Sequence, residues 1–128
     1  MRTPSPQRES DIQEEIVAWL SAISRRYHIG FHSIPNESIL ISGRTGGKRQ
    51  YALLAKLKRM GLTPGVADLA LFHRGRLYYA EVKRPGQLPS QAQREFQAWC
   101  DFCGVPYRVV YSLRDVRSYV RDILSQDA

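Results

Sequence analysis

Apolar positions in the first part of the chain recur with a helical period. Ile12, Ile16, Trp19, Leu20 and Ile23 fall on one face, with Ser5-Pro6 as cap and first-turn proline. The spacing therefore predicts a helix running to about Tyr27. Two β-prone runs follow, residues 28–34 ("HIGFHSI") and 39–42 ("ILIS"), separated by "PNES". Residues 48–60 ("KRQYALLAKLKRM") return to helical spacing, with Leu53, Leu54 and Leu57 inward, Lys56, Lys58 and Arg59 outward, and Gly61 as the stop. The segment "ADLALFHRGRLYYAEVK" alternates as two strands around a turn at Arg74-Gly75. Pro85 and Gly86 break the second strand, and Ser90 opens a helix that ends at Gly104. A strand at 107–111 ("YRVVY") and a last helix on Leu113, Val116, Val120 and Ile123 complete the chain. The order α-β-β-α-β-β-α-β-α predicts one α/β domain over residues 1–128, a central mixed sheet flanked by helices.

One strand breaks its own pattern. In "YYAEVKRPG" (residues 78–86), Tyr79, Glu81 and Lys83 share one face while Ala80 and Val82 share the other. A two-residue loop at Arg74-Gly75 sets His73 opposite Arg76, and Asp68 then lands opposite Glu81. Directly opposed residues have Cβ atoms about 4.5–5.5 Å apart. Two carboxylates at about 5 Å repel by roughly 3 kcal/mol at an effective dielectric near 20. The compensating cation is either Lys83 or a divalent metal, and carboxylate oxygens suit Mg²⁺. A divalent ion with a lysine alongside is equipped to attack phosphodiesters. An isolated Glu-x-Lys is ordinarily a solvated surface pair, and Asp68 alone is an ordinary turn residue. Their coincidence on one face is what carries the reading.

Composition sharpens it. The 128 residues are enough for one core, and 19 Lys+Arg against 12 Asp+Glu give a net charge of +7. Such an excess points to a polyanionic partner, most often nucleic acid, or else to simple solubility. No apolar run reaches the roughly 18 residues of a membrane span, and "MRTPSPQRES" lacks the apolar core of a signal peptide. A soluble intracellular protein of bacterial or phage origin is expected. Cys100 and Cys103 form a C-x-x-C without a second ligand pair, so they pack as small hydrophobes with Gln93 and Phe96. His28, His32 and His73 lack metal-ligand spacing and read as structural. The basic loop "GRTGGKR" (43–49) is one residue short of a phosphate-cradling P-loop and has Arg49 in place of Ser or Thr.

"GVADLALF" followed by "LYYAEVKRPGQLPSQAQREF" resembles the virus-type replication–repair nuclease (VRR-NUC) domain of the PD-(D/E)XK nuclease superfamily. Asp68 matches its acidic Asp, Glu81-Val82-Lys83 its E-x-K, and Ser90-x-x-Gln93 the opening of its next helix. "IPNES" resembles its Pro-Asn turn at Asn36, and "ESDIQ" its first-helix pattern at Glu9. The likeness runs from about Glu9 to the last helix. Ala67 departs from it, standing where the family commonly has proline.

The resemblance implies a restriction-endonuclease-like core that hydrolyses DNA phosphodiesters with Mg²⁺ or Mn²⁺. Asp68, Glu81 and the Val82 backbone carbonyl would hold the metal, with Glu9 helping directly or through water; Glu14 competes with Glu9 for that place. Lys83 would position or deprotonate the attacking water. Gln93 would touch Lys83 or the substrate backbone, although Ser90-x-x-Gln93 is also a capping box; Gln91 is a weaker candidate. Arg84 is the first candidate for a phosphate contact, and Arg44, Lys48, Arg49, Lys56, Lys58 and Arg59 could grip phosphates or form a solvated face. Asn36 is a further candidate for nucleic-acid contact. Small stand-alone members look like dimeric junction- or flap-cutting enzymes, so branched DNA and a homodimer are expected. The alternatives are a non-catalytic nucleic-acid-binding module on the same fold, an RNA-directed nuclease and, ranked low, a restriction enzyme.

Overall fold

The computed structural model describes residues 7–35 and 47–127. Helix α1 spans Glu9–Tyr27 and buries Ile12, Ile16 and Leu20, with Trp19 and Ile23 packed partly against the same core. It starts later than the Ser5-Pro6 signal predicts: Arg8 is extended, and its N–H donates to the Asp11 carboxylate at 3.2 Å. Residues 1–6 lie outside the described residues. The helix ends at His28, a left-handed cap residue with φ 55°. That cap shortens the first strand to β1, Gly30–Ser33. The expected strand at 39–42 and the loop around Arg44 lie outside the described residues.

Helix α2, Lys48–Arg59, follows its pattern only in part, because it buries Leu54 alone. Leu57 is half-buried, whereas Leu53, expected inward, is 48% exposed. The packed face is one residue wide, too narrow to cover both adjacent leucines.

Strands β2 (Leu69–His73) and β3 (Arg76–Val82) form the expected hairpin, with His73 paired to Arg76. Arg74 and Gly75 both have positive φ, 50° and 76°, the geometry that matches a two-residue turn to strand twist. β1 adds antiparallel to β2. β4 (Tyr107–Val110) lies parallel to β3, a pairing that needs the crossover supplied by helix α3, Gln91–Cys103. β4 stops one residue short of the expected end because the Tyr111 N–H is taken by Asp115 Oδ2 at 2.8 Å. Helix α4, Leu113–Ser125, closes the described fold. The sheet order is β1-β2-β3-β4. No described helix is long and apolar enough to cross a membrane.

The two faces of the sheet differ. Leu69, Leu71, Tyr78, Ala80, Val82 and Val110 form one apolar core with the inner faces of α1 and α4. The other face carries Tyr79, Glu81 and Lys83 under α3, whose Phe96 packs edge-on against Tyr79. On α3, Cys100 is buried as expected, but Cys103 is exposed beside the Gly104 cap, and both are free thiols.

His73 ties three chain ends together. Its Nδ1 meets the His28 carbonyl at 2.9 Å and its Nε2 meets Asp127 Oδ2 at 2.8 Å. These hydrogen bonds raise the imidazole above its usual pKa. His73→Ala should therefore cost about 1–3 kcal/mol, measured by urea unfolding at pH 6, because both hydrogen bonds of a buried imidazole are lost. A change below about 0.5 kcal/mol would contradict this role.

Candidate active site

Hairpin register brings two acids together. The Leu69–Ala80 pair continues by one step to set Asp68 across from Glu81. The two carboxyls are in hydrogen-bonding contact. Asp68 Oδ2 also accepts from the Val82 N–H at 2.9 Å, and the Asp68 carbonyl accepts from the Ile34 N–H at 2.8 Å. The residue is thus held from both neighbouring strands. Ala67, where the family pattern has proline, is fully buried at the strand entry.

Glu81 and Lys83 are 3% and 7% exposed. Burial is the largest influence on Glu81, followed by the hydrogen bond and charge of Asp68; Lys83 opposes them and the Glu9 charge adds to them. The Glu81 carboxyl is pushed up to about 9. At neutral pH this acid pair therefore retains a proton, because burial disfavours a second charge and Asp68 adds to that more than Lys83 offsets.

Each oxygen of Glu81 has a further partner. Gln93 Nε2 donates to Oε1 at 3.0 Å, and the Tyr107 hydroxyl donates to Oε2 at 3.5 Å. Gln93 was expected to touch Lys83 or the substrate; its amide instead reaches the carboxyl one step back along β3. The same side chain completes the helix cap: its Oε1 accepts from the Ser90 N–H at 2.8 Å, and Ser90 Oγ accepts from the Gln93 N–H at 3.2 Å. Capping and site contact are one geometry, since the cap fixes the amide that faces Glu81.

Two substitutions separate these roles. Ser90→Ala should cost about 1 kcal/mol of stability. Gln93→Ala should destabilise the fold to a similar degree and also lower any activity at this site about tenfold, because the Glu81 carboxyl is no longer oriented. Equal behaviour of the two variants in activity would leave Gln93 with capping alone.

Glu9 is half-buried at the start of α1, and its Oε1 is buried without a hydrogen-bond partner among the described residues. Glu14 is exposed, and Glu15 accepts from Gln7 at 3.5 Å. Glu9 is thus the first-helix acid whose charge is felt at Glu81. Among the described residues no three His, Cys, Asp or Glu side chains gather closely enough to ligate one ion by themselves. Asp68 and Glu81 are a pair, with Glu9 farther off.

Val82 is anchored by a fully buried side chain in the opposite core and by its N–H on Asp68. Exposed Arg84 shares a shallow depression with Arg8, Glu9, Ser10 and Gln87. Lys48, Arg49 and Lys56 are exposed on α2. Asn36 and Arg44 lie outside the described residues.

Two contributors escape a reading by motif. Tyr107 reaches Glu81 only because β4 lies beside β3. Gly65, with φ 84°, lets the loop before Asp68 press on the first turn of α3: a Cβ there would lie 2.2 Å from the Ala92 carbonyl oxygen and 2.7 Å from the Gln93 nitrogen. The Pro64-Gly65 dipeptide was the available signal, marking a turn.

Neither a protein-family model nor a curated protein matches the chain. Among solved structures, its fold matches a "VRR_NUC domain protein" with a TM-score of 0.67 and 21% identity, over 91% of this chain and 88% of that one. At that identity the likeness is one of fold, and the fold is the restriction-endonuclease-like α/β architecture expected from the motifs.

Proposed function

We propose, from its VRR-NUC fold and buried acid pair, that the chain is a metal-dependent DNA endonuclease that hydrolyses phosphodiester bonds. Branched DNA, such as four-way junctions or flaps, is the proposed substrate, and a homodimer the proposed form. The observation that carries this reading is the Glu81 carboxyl, held up to about 9 by burial and by Asp68. Two carboxyls buried against each other must share a proton or be joined by a cation, and a cation is the partner that lets both ionise.

The donor set fits Mg²⁺ or Mn²⁺. Asp68, Glu81 and the Val82 carbonyl would all offer oxygen donors, and ions of this kind keep several waters and accept phosphate oxygens. Among the described residues the pair has no third clustered side chain, which suits such an ion better than an all-protein cage. Bound there, the ion supplies Lewis-acid polarisation of the scissile phosphate and a water of lowered pKa.

The remaining roles belong to the chain's own side chains. Lys83 is buried on the face of Glu81, whose carboxyl feels its charge. In this reading it holds the attacking water and donates to phosphate oxygens as charge builds. Gln93 fixes the Glu81 carboxyl through Oε1. Glu9, with its unpartnered oxygen, can accept from a water at the rim. Arg84, exposed next to Lys83, grips a neighbouring phosphate.

The test is incubation with Mn²⁺ and labelled four-way, flap and linear duplex DNA. Branched substrates should be cut fastest, chelation should stop cutting, and Lys83→Met should slow it by about 10²-fold. Equal rates on all three substrates would remove branch selectivity. Binding without cleavage would favour a non-catalytic module, and preferential cutting of RNA an RNA-directed enzyme.

A further inference from the structure

Three arginines stand outside the Glu81 site. Arg114, Arg117 and Arg121 are exposed on α4 at spacings of three and four residues, so they share one helical face. With Glu15 of α1, Leu113 and Ser118 they line a groove of about 580 Å³. Among the described residues none of the three forms an ion pair. Glu15 leaves the groove with a clear excess of positive charge. Arg117 lies over the Trp19 ring, 5.8 Å from its centroid, which steadies the guanidinium without neutralising it.

This face works against its own helix. Like charges three and four residues apart repel, and Arg114 sits in the first turn, where the helix dipole disfavours a cation. Such an arrangement is relieved by an anion arriving from outside. From Arg114 to Arg121 the helix rises about 10.5 Å, so the three cations form a line. Such a line suits an extended polyanion such as duplex DNA, with one charge per about 1.7 Å of its axis.

The placement gives the stripe a direction. The Val110 carbonyl at the end of β4 accepts from the Lys83 N–H at 2.9 Å, and α4 begins three residues later. At the far end of α4, Gln126 and Asp127 meet Tyr78 and His73 near the hairpin turn. The stripe therefore starts at the sheet end that holds Glu81 and Lys83, on the opposite face of the sheet from those side chains, and runs back along α4 toward the hairpin turn.

We propose that Arg114, Arg117 and Arg121 form a phosphate-backbone track that holds a duplex arm of DNA leading away from the Glu81 site. Its direction rests on reading that site as the place of cleavage, whereas the charge argument does not. The track binds shape and charge without touching base edges, and so adds grip without sequence preference.

The experiment measures binding of a labelled 24-base-pair duplex by fluorescence anisotropy across a salt series. It is done in chelator, with the 128-residue chain carrying Asp68→Asn so that no cutting intervenes. Replacing all three arginines by Gln should make the slope of log affinity against log salt shallower by about 2.7, close to 0.9 for each phosphate no longer neutralised. Replacing all three by Lys should retain most of the slope. If the triple Gln variant does not fold, each single Gln variant should lower the slope by about 0.9. An unchanged slope in the folded variants would overturn the track. Polyglutamate binding with the same dependence on the three arginines would also overturn it, by assigning the stripe to an acidic polypeptide. Arginine-dependent duplex binding by a protein that never cuts DNA would keep the track and remove the nuclease reading.

Discussion

Asp68→Asn is expected to abolish Mn²⁺-dependent DNA cleavage while leaving the metal-free protein at least as stable as the parent. The asparagine side-chain oxygen can still accept from the Val82 N–H, which Asp68 Oδ2 does at 2.9 Å. The strand entry therefore keeps its anchor. What disappears is the negative charge that faces Glu81 and helps hold its proton. Removing one of two like charges relieves the buried pair, so the thermal midpoint in chelator should stay within about 2 °C of the parent or rise. Cleavage should fall by about 10³-fold or more, the rate equivalent of about 4 kcal/mol. Calorimetric titration should show Mn²⁺ affinity weakened at least tenfold. Cleavage above a tenth of the parental rate would remove Asp68 from the mechanism. A midpoint lowered by many degrees would instead make it a structural residue.

The second large effect concerns pH and metal together. Glu81 titrates near 4.5 in an unfolded chain and near 9 in the folded one. Between those values the folded state holds the extra proton. Its contribution to stability is fully present below about 4.5 and is lost as pH rises through about 9. His73 has the same sign: it is raised above 6.5 by the His28 carbonyl and Asp127, so its contribution is present below 6.5 and lost above its folded value.

The metal-free protein should therefore lose stability between pH 5 and pH 9, with the thermal midpoint falling by on the order of 10 °C. Glu81→Gln should flatten most of this slope and leave the smaller part that belongs to His73. Near pH 8, millimolar Mn²⁺ should take the place of the Glu81 proton and raise the midpoint by at least about 5 °C, with no such rise in Glu81→Gln. A flat pH profile in the parent, or an equal Mn²⁺ effect in the variant, would contradict the arrangement.

Much of this site is legible along the chain because β-structure turns sequence distance into spatial distance by counting. Once the Arg74-Gly75 loop closes with two residues, the pairing His73–Arg76 dictates every other pair, including the approach of Asp68 to Glu81. Gln93 is legible for a similar reason, since a capping box sets its amide at a known place on the first turn of α3. Its partner is not, because whether that turn overlies Lys83 or Glu81 depends on how α3 lies across the sheet. The same limit explains Leu53 and Cys103. Helical periodicity marks an apolar face, but the width of what covers that face decides which of its residues are buried.

By itself, then, the sequence determined most of the described elements, the hairpin register and the meeting of Asp68 with Glu81, all consequences of local backbone geometry and a short turn. Only the tertiary structure decided that Tyr107 reaches Glu81, that Gly65 wedges its loop against α3, and that the charge of Glu9 is felt at Glu81 while Glu14 is exposed. It also decided that the arginines of α4 line a groove with α1. Each of these contacts joins elements far apart in the chain, and their relative placement follows from the packing of the whole core, which no local pattern encodes.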